Sequence, residues 1–369
     1  MTFCVASEIT TLVSLSAFIP LLSPGVHPYP WQYRSRCTPT STLPDSSTRR
    51  RLESTLEGRQ PWSNWRGYRR PRGLRHVLFL EPEDRDRAFA LLEAYIERES
   101  EAGNRKDYDR VRGLVPHMRK RWWKASDKAQ TDMAEEVGMD DFQFATKEYV
   151  RGLKAQPWWD PSTFSWAKGL EEESTRIQEE YRTFCDETNS RSLFRMSKEG
   201  GYTSQGWTHI PLLNRREAMD AYAPQREHFP ETMKILQNLG ILSNARAALI
   251  GRQEPMSGIK MHSDGSNAVI TAHLGLDIPG DEDCLMWVGV NMERHPWRNN
   301  KLMCMDTSYL HWTRNNTDKE RIILLIMVWH PDLTAKEKKV FEYLDSLIRL
   351  AVSGQPLPTE PLPPVEGAL

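Results

Sequence analysis

The sequence predicts an α+β protein, with a helical region ahead of a C-terminal domain of short strands. Three observations predict this. Apolar residues recur at helical spacing between 84 and 101. From Ala245 onward, short apolar runs alternate with Gly, Pro, Asn and Asp clusters, as strands alternate with turns. Between the two regions, Pro157-Trp158-Trp159-Asp160-Pro161 marks a break where a new domain starts.

Residues 1–72 read as a targeting segment and linker, disordered, rich in Ser, Thr, Pro and Arg. The first 48 residues hold two acids, Glu8 and Asp45. Pro20 and Pro24 interrupt the apolar run Thr11–Val26, so it is no membrane span. That composition fits a cleaved transit peptide or signal. Ser16-Ala17-Phe18-Ile19-Pro20 also resembles the Phe-centred cleavage motif of bipartite plastid targeting sequences. The expected compartment is a plastid, a mitochondrion or the secretory pathway, with the cytoplasm as the alternative.

Residues 73–150 form the helical region. Ala88, Leu91, Leu92, Tyr95 and Ile96 line one face of a helix over Asp84–Glu101. Further helices are expected over Lys106–Lys124, kinked or broken at Pro116, and over Lys128–Val137 and Phe142–Leu153. The domain 151–350 opens with a long helix, Ser165–Asn189, and a strand near Gly206–Leu213. A helix starts at Phe229-Pro230-Glu231-Thr232 and ends at Gly240. Strands follow at Ala245–Gly251, Ala268–Asp277, Cys284–Val290, Lys301–Asp306 and Arg321–Trp329. Thr334-Ala335-Lys336-Glu337 is a capping box that opens a last helix. Residues 351–369 read as a disordered Pro-rich tail.

A net charge of −1 gives no global reason to expect nucleic acid or an anionic membrane as partner. Five scattered cysteines without CxxC spacing argue against a zinc knuckle or a disulfide framework.

The chemistry concentrates between His262 and Arg321. His262 and Asp264 are two apart, so in extended chain they point to the same side. His311 follows Asp264 by 47 residues, after a predicted strand, and a neighbouring strand can bring it alongside. Two imidazoles and one carboxylate hold iron(II) on one face and leave positions open for a co-substrate and dioxygen. Arg321, ten residues after His311, is suited to clamp a dicarboxylate. Thr271, His273 and Gly275 share one strand face, which places His273 near the co-substrate or behind a metal ligand.

Several blocks then carry a resemblance. They are His262 with Asn267, His273-Leu274-Gly275-Leu276 with Ile278-Pro279, Asp306 through His311, Arg321, and Val328-Trp329-His330-Pro331. With Pro157-Trp158-Trp159-Asp160, Trp207 and Phe229-Pro230-Glu231-Thr232, they make the chain resemble the aspartyl/asparaginyl β-hydroxylases. The resemblance implies a double-stranded β-helix (jelly-roll, cupin-like) domain. It also implies a dioxygenase that uses Fe(2+) and, as co-substrate, 2-oxoglutarate. In that reading His262 and His311 bind iron, Arg321 pairs with the distal carboxylate of 2-oxoglutarate, and His273 contacts its other end. Asp264 stands where animal members carry Gly, and it completes the ligand set. Thr271 stands where they carry Arg, in the co-substrate-binding group. The family's hydroxyl on the preceding strand falls at Gly251, with Ser257 as the substitute.

The expected substrate is an Asp or Asn β-carbon in a peptide or protein, or alternatively a lipid acyl chain or small molecule. Arg252, Lys260, Arg294 and Arg298 are candidates to hold an anionic group, or else a solvated face. A non-catalytic binding module and a zinc hydrolase on the same ligands remain open alternatives.

Overall fold

Alternation along two central strands decides how the molecule is layered. The computed structural model describes residues 82–121, 143, 147–187, 194–196, 204–218, 220–280, 282–289 and 293–361. Within them β5 (Val269–Asp277) and β10 (Arg321–Trp329) are buried almost throughout. Ile270, Ala272, Leu274 and Leu276 of β5 pack with Ile322, Leu324, Ile326 and Val328 of β10 against helices. Ile323 and Leu325 point the other way, into a second core with Met286, Val288, Trp297 and Met305. A strand covered on both faces needs apolar residues at both parities, which explains the unbroken apolar run in β10.

The remaining strands are β1 (Trp158–Trp159), β2 (Arg195–Met196), β3 (Ser204–Asn214), β4 (Ala245–Ile259), β6 (Cys284–Val288), β7 (Glu293–Pro296), β8 (Leu302–Met305) and β9 (His311–Asn315). The larger sheet runs β1-β8-β5-β10-β4-β3-β2, with every neighbouring pair antiparallel. The smaller sheet runs β7-β6-β9 and closes onto the far end of β4 where Ser257 faces Asn315. The 15-residue β4 therefore belongs to both sheets, and the pair wraps into a double-stranded β-helix.

Helices α3 (Ala167–Glu172), α4 (Ser174–Glu187) and α5 (Pro230–Asn238) cover the outer face of the larger sheet through Leu170, Ile177, Phe184, Ile235 and Leu236. At one end, α1 (Pro82–Ala102) packs on the last helix, α6 (Ala335–Val352), with Tyr95 stacked on Tyr343 at 4.3 Å between ring centroids. The α6 capping box forms as expected. Its Glu337 also takes Arg110 Nε at 2.8 Å.

Several expected elements take another form. The described residues of the 142–153 segment, 143 and 147–153, are not helical. Gln143 bridges Tyr309, Glu148 bridges Ser266, and the backbone N–H groups of Lys147 and Glu148 both donate to Gly265 O. A helix would have spent those donors on itself. The 106–124 segment breaks at Gly113, and Pro116 sits inside α2 (Leu114–Arg121). There it occupies the first turn, where no N–H is required. The long helix at 165–189 is two helices, parted at Glu173. Strands β1, β7 and β9 had no separate signal, being two to five residues long. The Pro-rich segment is packed as far as Pro361: Leu357 is buried and Arg87 Nη2 donates to Pro358 O at 3.1 Å. The targeting segment, the linker and the helix expected at 128–137 lie outside the described residues.

One buried polar network ties the helical layer to the sheet. Arg246 donates to Glu148 (2.6 and 2.9 Å) and to Asp345 (2.8 Å), and Arg216 joins both acids. Ser266 Oγ completes it at 2.7 Å from Glu148. Burial pushes the Glu148 carboxyl up, but the two guanidinium groups outweigh it and hold it far below the usual range. Arg246→Ala leaves Glu148 and Asp345 with Arg216 as their remaining guanidinium partner among the described residues, and is expected to cost about 3–5 kcal/mol in chemical denaturation.

Candidate metal centre

Backbone pairing places the site. His262 and His311 form an isolated antiparallel bridge, with His262 N to His311 O at 3.0 Å and the reverse bond at 2.8 Å. Asp264 N donates to Thr307 O at 2.9 Å, which docks the 262–265 turn on the loop before β9. The ligand atoms of His262, Asp264 and His311 all lie within 4.8 Å of one another. Nε2 of His262 is 3.6 Å from Asp264 Oδ1, and Nε2 of His311 is 3.9 Å from it.

The imidazoles are held for ligation. His262 Nδ1 lies 2.8 Å from Lys260 O, and His311 Nδ1 lies 2.9 Å from Tyr309 O. A carbonyl only accepts, so each Nδ1 carries the proton and each Nε2 lone pair faces the third residue. Burial, with His262 beside it, holds the His311 imidazole down to about 4. Burial opposes the charge of Asp264, yet the polar groups around it hold its carboxyl below the usual carboxylate range. Two neutral imidazoles and a carboxylate fit a divalent iron or a similar cation.

His273, close to His311 and Asp264, also lies close to an uncompensated cation. Arg321, 1% exposed, lies 4.1 Å from the Trp297 ring centroid and 5.4 Å from that of Trp207. Its Nε has no hydrogen-bond partner among the described residues. Burial lowers its guanidinium to about 10. Trp297 Nε1 donates to His273 Nδ1 at 3.2 Å, so the proton of the neutral imidazole is on Nε2, which is also buried without a partner. Burial and the nearby Arg321 hold His273 down to about 3. One cation and one N–H, both buried and unanswered, suit an anion with a second polar end.

Gly251 has a packing reason: a Cβ there would come within 2.2 Å of the Trp207 ring. Ser257 Oγ is engaged by Gln253 Nε2 at 2.5 Å and donates to Glu254 O at 2.6 Å. Thr271 lies on the same strand face as His273, and its hydroxyl meets Thr307 Oγ1 at 2.8 Å. Of the candidate cations, Arg252 is buried against Thr208 and the Phe194 ring, 3.6 Å from Glu320. Arg298 pairs with Glu282 at 2.9 Å, while Lys260 and Arg294 are exposed. His330 of the Val-Trp-His-Pro block joins Lys154 O to Asp332 N at a chain corner. Sequence reasoning missed the Trp297 contact, the Thr307 hydroxyl and the Gln143–Glu148 brace, since none has a local pattern.

Residues 171–331 match the sequence profile of the Aspartyl/Asparaginyl beta-hydroxylase family. The chain is 26% identical to the mouse and human proteins named Aspartyl/asparaginyl beta-hydroxylase over 195 residues, 52% of this chain and 25% of each relative. It thus spans about a quarter of the length of those relatives. It is also 26% identical to the Ornithine lipid ester-linked acyl 2-hydroxylase of Rhizobium tropici over 181 residues, 46% of this chain and 59% of that one.

Two outcomes follow for Gly251 and His273. Gly251→Ala displaces Trp207 from Arg321 and is expected to destabilise the fold by about 1–3 kcal/mol in chemical denaturation, the usual cost of overpacking. His273 is neutral above about 3, so its charge changes only in strong acid. The His273 imidazole followed by NMR should therefore show no titration step between pH 5.5 and 8.

Proposed function

We propose that this chain is an iron(II)- and 2-oxoglutarate-dependent hydroxylase, with His262, Asp264 and His311 holding the metal. The observation that carries this reading is the pairing of that triad with the buried, unanswered Arg321. Bound iron with 2-oxoglutarate supplies the activation of dioxygen that attack on an unactivated C–H requires. The chain's own residues do the rest. The carbonyls of Lys260 and Tyr309 fix both imidazoles in the ligating tautomer. Arg321 pairs with the distal carboxylate of the co-substrate, and His273 Nε2–H donates to its other end. Trp207 and Trp297 wall the guanidinium off from water, which strengthens that charge pair.

The substrate is the β-carbon of an Asp or Asn residue in a peptide or protein, a reading supported by the names of the mouse and human relatives. A second reading, an acyl chain of a lipid, is favoured by the Rhizobium tropici relative, of which the match covers the larger share. Iron-loaded protein assayed for succinate formation from 2-oxoglutarate, with Asp/Asn peptides in parallel with acyl lipids, decides between them. Succinate coupled to a hydroxylated peptide supports the first reading and coupling to a lipid supports the second. No succinate with either, and none uncoupled, overturns the enzyme. Arg321→Met should raise the KM for 2-oxoglutarate by about 30-fold or more, as expected for losing a buried charge pair of about 2–5 kcal/mol. His262→Ala and His311→Ala should abolish turnover.

A further inference from the structure

The connection from β7 to β8, residues 297–301, is fastened to β5 as a strap. Asn300 N donates to Gly275 O at 2.9 Å, and Gly275 N donates to Lys301 O at 3.1 Å. Asn299 accepts from Ile278 N at 2.8 Å and donates to Ile278 O at 3.1 Å. At the start of the strap, Trp297 N donates to Cys284 O of β6 at 3.1 Å. Gly275 lets the strap come this close, since a Cβ there would lie 2.2 Å from Arg298 O. A backbone carbonyl cannot swing aside as a side-chain tip does, so the position takes glycine.

The strap seats one indole. Gly275 and His273 are two apart on β5 and share a face, so the residue before Arg298 is delivered onto His273. Trp297 is 1% exposed, with its ring 5.9 Å from that of His273 and 4.1 Å from Arg321 Cζ. Its Nε1 lies 3.2 Å from His273 Nδ1. An indole N–H only donates, so Nδ1 must be the accepting nitrogen. Without that contact the imidazole has a second tautomer open to it, with the proton on Nδ1 and a lone pair on Nε2. An anion at Nε2 would then meet a lone pair where it needs a donor.

We propose that Trp297 is a positioning residue for the co-substrate: its indole N–H locks His273 in the tautomer that presents Nε2–H. The inference rests on the 2-oxoglutarate reading above and gives the strap a task within it.

Two measurements test it. The first is NMR of the full chain with nitrogen-15 histidine and tryptophan, without metal or co-substrate. His273 Nδ1 should be unprotonated and coupled across the hydrogen bond to Trp297 Nε1. A proton on Nδ1, or no such coupling, overturns the lock. The second is 2-oxoglutarate affinity by calorimetry with Mn(II) present and no turnover. Trp297→Phe keeps an aromatic face over Arg321 and loses the N–H. It should weaken binding about tenfold, the size expected when a buried acceptor loses its partner. In a His273→Phe background the same substitution should change affinity by less than about twofold, because the group it orients is gone. Wild-type affinity in Trp297→Phe, or the same loss in the His273→Phe background, overturns the proposal. Should Trp297→Phe fail to fold, Trp297→Met carries the same cycle with the same outcomes. Wild-type protein that binds Mn(II) but no 2-oxoglutarate overturns the co-substrate reading, and the role of Trp297 with it. Binding of 2-oxoglutarate with an additive cycle overturns the role of Trp297 alone.

Discussion

The reciprocal backbone bonds between His262 and His311 are the constraint on which the site depends. They join a turn before β5 to the first residue of β9, two segments far apart in the chain. Each histidine then takes its side-chain orientation from a carbonyl two residues earlier in its own segment, Lys260 or Tyr309. Two independent loops thus present their Nε2 atoms by the same device, and neither needs a distant side chain to fix its tautomer. Asp264 adds the charge, and Thr307 fastens its backbone to the second loop.

Around that junction the fold supplies rigidity from both sides. On one side, Asp306 accepts from Ser308 N (2.9 Å), Ser308 Oγ (2.6 Å) and Gln143 Nε2 (2.7 Å), closing the loop that ends at His311. On the other, Glu148 holds Ser266, and Asn267 exchanges bonds with the Val150 backbone. Gln143 and Glu148 therefore brace both loops of the candidate centre, which is why these two polar side chains are buried.

Arg321 is the other organising cost. A buried guanidinium with no acid beside it is unfavourable. Two indole faces offset part of that cost through cation–π contact, one of them given room by Gly251. Much of this was legible in the chain. The spacing of His262, Asp264, His311 and Arg321 marked the site, and strand parity put Thr271 and His273 on one face. Trp297 was not legible as the partner of His273, because β7 is four residues long and nothing local says which strand it follows.

By itself the sequence determined the residue types of the site, the α+β order of elements and the family resemblance, because these depend on local periodicity and on short blocks. Tertiary structure alone decided that Gln143 and Glu148 brace the loops of the candidate centre, that His330 joins Lys154 O to Asp332 N, and that Thr271 faces Thr307. Each of those is a choice of hydrogen-bond partner. Such a choice is set by which distant segment arrives with a free donor or acceptor, and no local pattern records it.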